Sequence, residues 1–262
     1  MLRMFARILP LTLALPALAA GQETGFLQRT VEVASVTYKY QVYVPASYTP
    51  SKKWPVIFFL HGAGERGADG ERQTDLGLPA RIRGMKEFPA IVVMPQCAQR
   101  AWWGDPEMEA QAFAALERSM KEFNGDPERV YLTGLSMGGF ATWAFGYKHP
   151  ETFAALAPVC GGVVASRRFI TPPPWHPLSK NPEDPYGETA SHLTKIPIWA
   201  FHGEADPVVP VTESRRLTEE IKSRGGNVRY TEYPGVAHNS WDKAYWEDEL
   251  FPWLLAQKKT KR

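Results

Sequence analysis

The stretch Val130-Tyr131-Leu132-Thr133-Gly134-Leu135-Ser136-Met137-Gly138-Gly139-Phe140-Ala141-Thr142-Trp143-Ala144-Phe145-Gly146-Tyr147 decides the fold. Its opening residues, 130–133, form a short apolar run without alternation, as in a strand buried on both faces. Residues 139–147 continue as a helix. Between them, Gly134-Leu135-Ser136-Met137-Gly138 must turn the chain sharply, which glycines permit because they carry no Cβ. A serine held in such a strained turn projects its hydroxyl over the sheet at a helix N-terminus, whose dipole favours developing negative charge. Ser136 is therefore the candidate nucleophile.

Working outward, continuous apolar runs recur at 56–60, 91–94, 130–132, 153–159 and 196–201. Stretches at helical spacing lie between or after them: 107–123, where Met108, Ala112, Leu116, Met120 and Phe123 share a face, then 211–222 and 241–257. Strand and helix alternating in this way predict an α/β fold with a mostly parallel central sheet and helices on both faces. Residues 31–44 alternate instead, with Tyr38, Tyr40, Val42 and Val44 on one face, and predict an antiparallel N-terminal edge hairpin. Residues 161–195 contain Pro172, Pro173, Pro174, Pro177, Pro182 and Pro185 and show no helix period, so they read as an ordered excursion or lid.

A serine hydroxyl is a weak nucleophile and needs a base, which in turn needs an orienting acid. In this architecture both follow the serine, acid first. Asp206 comes five residues after the run 196–201, at the carboxyl edge of a strand. His238 is the sole histidine beyond it, in a loop between a strand and the last helix. The rival pair Asp184 and His192 lies inside the excursion, with no strand to fix either residue. Ser136, Asp206 and His238 are thus the candidate catalytic triad.

Acyl transfer also requires two N–H donors for an oxyanion. The backbone of Met137, immediately after the nucleophile, supplies one. The loop after residues 56–60, His61-Gly62-Ala63-Gly64, supplies the other from Ala63, or failing that Gly64. His61 and His202 each precede a glycine at a strand end and read as imidazoles satisfying local backbone groups; His149, His176 and His192 read as loop or helix-end residues. No two histidines stand at i, i+4 on a helix, and no carboxylate cluster accompanies them, so neither metal nor other cofactor is expected.

Composition sets the bounds. The chain has 262 residues, 44% of them hydrophobic and 22% charged, close to globular averages, which excludes wholesale disorder and fibrous repeats. Residues 1–19 have the pattern of a secretory signal: Arg3 and Arg7, an apolar run from Ile8 to Leu18, then small residues at the cleavage positions. That run is too short and too proline-interrupted to span a bilayer, so no membrane anchor is expected. Cleavage removes two of the 30 basic residues and none of the 28 acidic ones, leaving no net charge and no basic surplus that suggests nucleic acid as a partner. Residues 20–262 then form one catalytic domain, secreted or periplasmic. Its two cysteines, Cys97 and Cys160, leave a disulfide and two buried thiols equally open.

Four motifs together carry a family resemblance: His61-Gly62-Ala63-Gly64-Glu65-Arg66-Gly67, Gly134-Leu135-Ser136-Met137-Gly138-Gly139, His202-Gly203-Glu204-Ala205-Asp206-Pro207-Val208-Val209-Pro210 and Gly235-Val236-Ala237-His238-Asn239-Ser240-Trp241. The sequence resembles α/β-hydrolase serine esterases across 31–255. Within them it is similar to secreted carboxylesterases described as predicted peptidases or as dienelactone-hydrolase-like, relatives of feruloyl esterases and polyhydroxybutyrate depolymerases. Dienelactone hydrolases use a cysteine nucleophile where this chain has Ser136, so their reaction does not carry over. Peptidases among such relatives often carry a propeller domain, absent from this sequence, which turns the expectation toward esters.

The expected reaction is hydrolysis of short-chain or aromatic, feruloyl-type esters through an acyl-enzyme. Trp102 and Trp103, after the strand that ends at Met94-Pro95-Gln96, are candidates for an aromatic pocket wall or for a cover over the sheet edge; Gln96 is a candidate polar partner of the site. Trp175 and Tyr186 would lie in the lid. Two other readings stay open: a non-catalytic polysaccharide-binding relative that uses its tryptophans on sugar rings, and a lipase or polyester depolymerase. The oligomeric state is not legible.

Overall fold

The computed structural model describes residues 23–164 and 180–259. The predicted signal at 1–19, His176, Trp175 and most of the prolines of the excursion lie outside the described residues. Eight strands form one sheet: β1 (Gly25–Val33), β2 (Val36–Val44), β3 (Trp54–Leu60), β4 (Ile91–Pro95), β5 (Gly125–Leu135), β6 (Ala155–Val159), β7 (Ile198–Gly203) and β8 (Val228–Tyr233). Their order is β1-β2-β4-β3-β5-β6-β7-β8. The pairs from β4 through β3, β5, β6 and β7 to β8 are parallel, while β2 runs antiparallel to both β1 and β4.

The continuous apolar runs became the central strands because both of their faces are covered. Every residue of β3, β4, β6 and β7 is buried. Alternate residues feed two separate cores: Val56, Phe58 and Leu60 pack on one side of the sheet and Ile57 and Phe59 on the other. The first layer also holds α2 (Pro106–Glu122), α3 (Met137–Lys148), α4 (Pro185–Leu193) and α5 (Thr212–Ser223); the second holds α1 (Leu78–Arg83), α6 (Trp241–Ala244) and α7 (Leu250–Ala256). Leu135 belongs to the second layer and Met137 to the first, so Ser136 stands where the chain passes from one to the other.

Three expectations needed correction. The hairpin begins at Gly25 rather than at 31, and its two-residue turn, Ala34-Ser35, has φ of 49° and 64°. Positive φ at both central positions gives the twist that suits an antiparallel ribbon. The expected antiparallel pair lies at one edge of the sheet, with β1 outermost. β2 pairs with β4 from Tyr40↔Pro95 to Tyr43↔Val92, which takes Tyr40, Val42 and Val44 wholly into the core.

The helix expected over 241–257 is two short helices separated by residues 245–249. Pro252 is responsible: it has no N–H to donate, and its ring would collide with the carbonyl of Asp248 if a helix ran through both. Finally, the stretch 161–195 contains a helix, α4. Asp184 caps it by accepting from Gly187 N–H at 2.9 Å, Pro185 fits the first turn, and Tyr186, Thr189, Ala190 and Leu193 are buried.

Candidate active site

Ser136 follows the last residue of β5 and precedes the first of α3, with φ 53° and ψ −114°. A non-glycine residue in that region is strained, and only close packing holds it there. The packing is backbone on backbone. A β-carbon added at Gly138 would lie 1.9 Å from Leu60 O, and one at Gly134 would lie 2.5 Å from Gly138 O. Both glycines are therefore sterically required where β3, β5 and α3 meet.

The Ser136 hydroxyl lies 2.8 Å from Nε2 of His238, and Nδ1 of His238 lies 2.7 Å from Oδ2 of Asp206. Three separate elements bring these groups together: the β5–α3 turn, the loop after β7 and the loop after β8. The Asp206 side chain is fully buried, whereas that of His238 keeps 18% exposure, enough to meet a substrate. The other carboxylate oxygen of Asp206, Oδ1, accepts from Val208 N–H (2.8 Å) and Val209 N–H (2.9 Å). Burial alone would raise the Asp206 carboxyl; hydrogen bonds from His202, His238, Val209 and Val208 outweigh it and hold the group well below the usual carboxylate range. Asp206 is thus a fixed anion. Because Oδ2 accepts from Nδ1–H, His238 presents an unprotonated Nε2 to the serine, the tautomer a general base needs.

The loop after β3 runs directly over the elbow. A β-carbon at Gly62 would sit 3.6 Å from Cβ of Ser136. Residues Ala63–Glu65 form one turn of 3₁₀ helix, whose leading N–H groups have no partner within the turn. Arg66 Nε donates to Ala63 O (2.9 Å) and fixes the orientation of that peptide, while Nη1 donates to Ala101 O (3.1 Å). Met137 opens α3 on the other side of Ser136. A β-carbon at Gly64 would meet nothing within 4 Å, so that glycine is not required by space.

Beneath the loop, His61 is 1% exposed and burial takes its imidazole down to about 4, so it is neutral near pH 7. Its Nδ1–H donates to Gly62 O (2.6 Å), and its Nε2 accepts from Cys97 N–H (2.9 Å). That is the local backbone role read for it in the sequence. His202 has a wider set of contacts, which include Asp206.

The pocket candidates separate. Trp103 is 1% exposed; its Nε1–H donates to His61 O (3.0 Å) and its ring meets the His61 ring edge-on at 4.9 Å. It supports the loop and cannot line a pocket, which corrects that assignment. Gln96 is buried as well: Oε1 accepts from Gly70 N–H (2.7 Å), and Nε2 donates to Glu65 O (3.1 Å) and Asp69 Oδ1 (3.2 Å). It stitches residues 65–70 together and is not placed to bind substrate. Trp102 is half-buried, with the Arg66 guanidinium 5.6 Å from its ring centre. Trp241, not singled out in the sequence, stands edge-on to His238 at 5.4 Å and is half-buried. Its position three residues after the candidate base was the available signal. Tyr186, expected in a lid, is buried and donates to Glu213 Oε1 (2.6 Å).

Cys97 and Cys160 are free and buried, and burial pushes both thiols up to about 12. Donor atoms of Cys160, Asp206 and His238 lie within 4.8 Å of one another. Two of these three residues already belong to the hydrogen-bonded chain of Ser136, and a thiol so hard to ionise is a poor ligand. Among the described residues no helix is long and apolar enough to cross a membrane.

Known proteins resemble this chain in sequence and in fold. Residues 98–260 match the prolyl oligopeptidase family. A solved thermostable esterase superposes with a TM-score of 0.73 at 33% identity, over 89% of this chain and 63% of that one. Feruloyl esterase C of Emericella nidulans is 26% identical over 76% of this chain and 72% of its own length. A secreted protein of Arthroderma benhamiae is 24% identical over 83% of this chain, yet the chain spans only 25% of it.

Proposed function

The chain belongs to the prolyl oligopeptidase family, and from that premise we propose that it is a secreted serine carboxylesterase acting on short-chain or aromatic esters. The observation that carries the proposal is the unbroken hydrogen-bonded chain Ser136–His238–Asp206 at a strained elbow, 2.8 and 2.7 Å link by link. Ser136 Oγ attacks the ester carbonyl carbon as its proton passes to His238 Nε2. The carbonyl π pair moves to oxygen, and that oxyanion is held by the N–H groups of Met137 and Ala63. Collapse of the tetrahedral species breaks the bond to the alcohol, which leaves with the proton from His238. Water then repeats the sequence on the acyl-enzyme, releasing the carboxylic acid and restoring the serine.

An ester rather than an amide substrate is supported by the thermostable esterase and the feruloyl esterase among the relatives. An aromatic acyl group is the reading favoured by two half-buried tryptophans, Trp102, beside the Arg66 guanidinium, and Trp241, beside the candidate base. Export is supported by the pattern of residues 1–19 and by the secreted Arthroderma benhamiae relative. On this reading residues 20–262 are the catalytic domain.

The test is hydrolysis of methyl ferulate and p-nitrophenyl butyrate, with a short proline-containing peptide as the amide control. Ser136→Ala serves as background. The expected result is ester turnover that Ser136→Ala lowers at least ~10⁴-fold, a typical loss for a triad nucleophile. Faster cleavage of the peptide than of either ester, or full activity in Ser136→Ala, overturns the proposal.

A further inference from the structure

Oδ2 of Asp206 faces two imidazoles. His238 Nδ1 lies 2.7 Å from it and His202 Nε2 lies 3.3 Å from it. The His202 ring is wholly buried, so its two nitrogens are satisfied by protein alone. Nε2 also lies 3.0 Å from Val209 O, and Nδ1 lies 2.7 Å from Ser214 Oγ. A carbonyl oxygen can only accept; in the neutral ring Nε2 therefore carries the hydrogen, shared between Val209 O and Asp206 Oδ2, and Nδ1 accepts from the Ser214 hydroxyl.

The plain alternative is a core histidine that ties β7 to α5 through Ser214 and steadies the turn after Asp206. That turn has its own ties, since Val208 and Val209 N–H both bind Oδ1. His202 acts on the other oxygen, the one that receives His238.

We infer that His202 is a positioning residue for the triad, a second imidazole whose Nε2–H fixes Asp206 Oδ2 and moderates the negative charge that this oxygen presents to His238. The inference rests on the triad reading. With the donor removed, Oδ2 swings more freely and attracts the His238 proton more strongly, so the base stays protonated to higher pH. Other titratable groups face the pair: the Cys160 thiol at the end of β6, and Glu232 on β8, which pairs across from His202 and is held by Arg215 at 2.8 and 2.5 Å. The thiol, raised to about 12, and the carboxylate, lowered by Arg215, each keep one charge state around neutral pH.

The experiment uses the whole exported chain with His202→Phe and His202→Gln. Active sites are titrated with a fluorophosphonate, and kcat and KM are measured on p-nitrophenyl butyrate across pH. For His202→Phe, kcat per titrated site falls roughly ten-fold, a fraction of the 10²–10⁴ that a general base contributes. KM stays within about two-fold, and the acid limb of kcat/KM moves up by about half a pH unit. His202→Gln, whose amide N–H reaches the same oxygen, recovers part of both changes.

A loss confined to the number of titratable sites, with the acid limb unmoved, overturns the inference; so does wild-type kcat in His202→Phe. If His202→Phe does not fold, Ser214→Ala, which removes the hydroxyl that orients the ring, must move the limb in the same direction, and an unmoved limb there counts equally against it. Activity surviving in Ser136→Ala would instead overturn the triad reading.

Discussion

Gly138 lies so close to Leu60 that a β-carbon on it would stand 1.9 Å from the Leu60 carbonyl oxygen. This contact presses the first turn of α3 against the end of β3 and so joins the elbow that carries Ser136 to the loop that carries Ala63. The distance between nucleophile and loop is set by backbone, not by side chains.

Gly138→Ala should therefore be far worse than its size suggests. Backbone cannot move aside as a side-chain end can, and the substitution is expected to destabilise the fold by about 3 kcal/mol or more. Urea denaturation followed by tryptophan fluorescence checks this; a midpoint equal to that of the native chain would mean that the elbow has slack.

His61 makes stability depend on pH. Its imidazole lies near 4 when folded, against about 6.5 when unfolded, so the unfolded chain binds more protons between those values. The stabilisation is complete above about pH 6.5 and fades as pH falls toward 4, by on the order of 3 kcal/mol. Asp206, held low when folded, adds a further loss that begins as pH falls through the ordinary carboxylate value. Unfolding free energy measured from pH 7 to pH 4 should fall steeply in the native chain and less steeply in His61→Asn.

Adjacent tryptophans should give different phenotypes. Trp103→Ala removes a fully buried ring and its bond to His61 O, and is expected to cost about 3–5 kcal/mol of stability. Trp102→Ala, which removes a half-buried ring at the edge of the core, should cost less stability than Trp103→Ala and raise KM for methyl ferulate more than for p-nitrophenyl butyrate. Equal KM changes on both esters would remove Trp102 from the acyl pocket.

Export predicts a defined mature end. Mass spectrometry of the protein recovered from the culture medium or the periplasm of an expressing bacterium should show a chain beginning at Ala20. A full-length chain retained in the cytoplasm would contradict it.

The apolar runs of β3, β4, β6 and β7 were legible because burial on both faces favours apolar residues at nearly every position, and the elbow was legible because glycines flank a serine between a strand and a helix. The residues brought to that elbow, Asp206 and His238, were traceable from chain order and strand ends. Other features were less accessible. Pro252 gave warning of the break in the last helix, and Asp184-Pro185 marked the start of α4, but both signals are local and were masked by longer patterns around them. Whether Trp102 or Trp103 faces outward depends on the path of residues 96–105 against His61, which no periodicity encodes. The same holds for His202: its four-residue separation from Asp206 is visible in the chain, while the shared oxygen is a product of the fold.

Ser136 sits between Leu135, rooted in one core, and Met137, rooted in the other. Its neighbours therefore have little freedom to diverge, since drift on either side of the sheet would displace the hydroxyl. Trp102 and Trp241 are not part of that hinge, and each is only half-buried. New substrate preferences can accumulate there while the reaction itself is conserved.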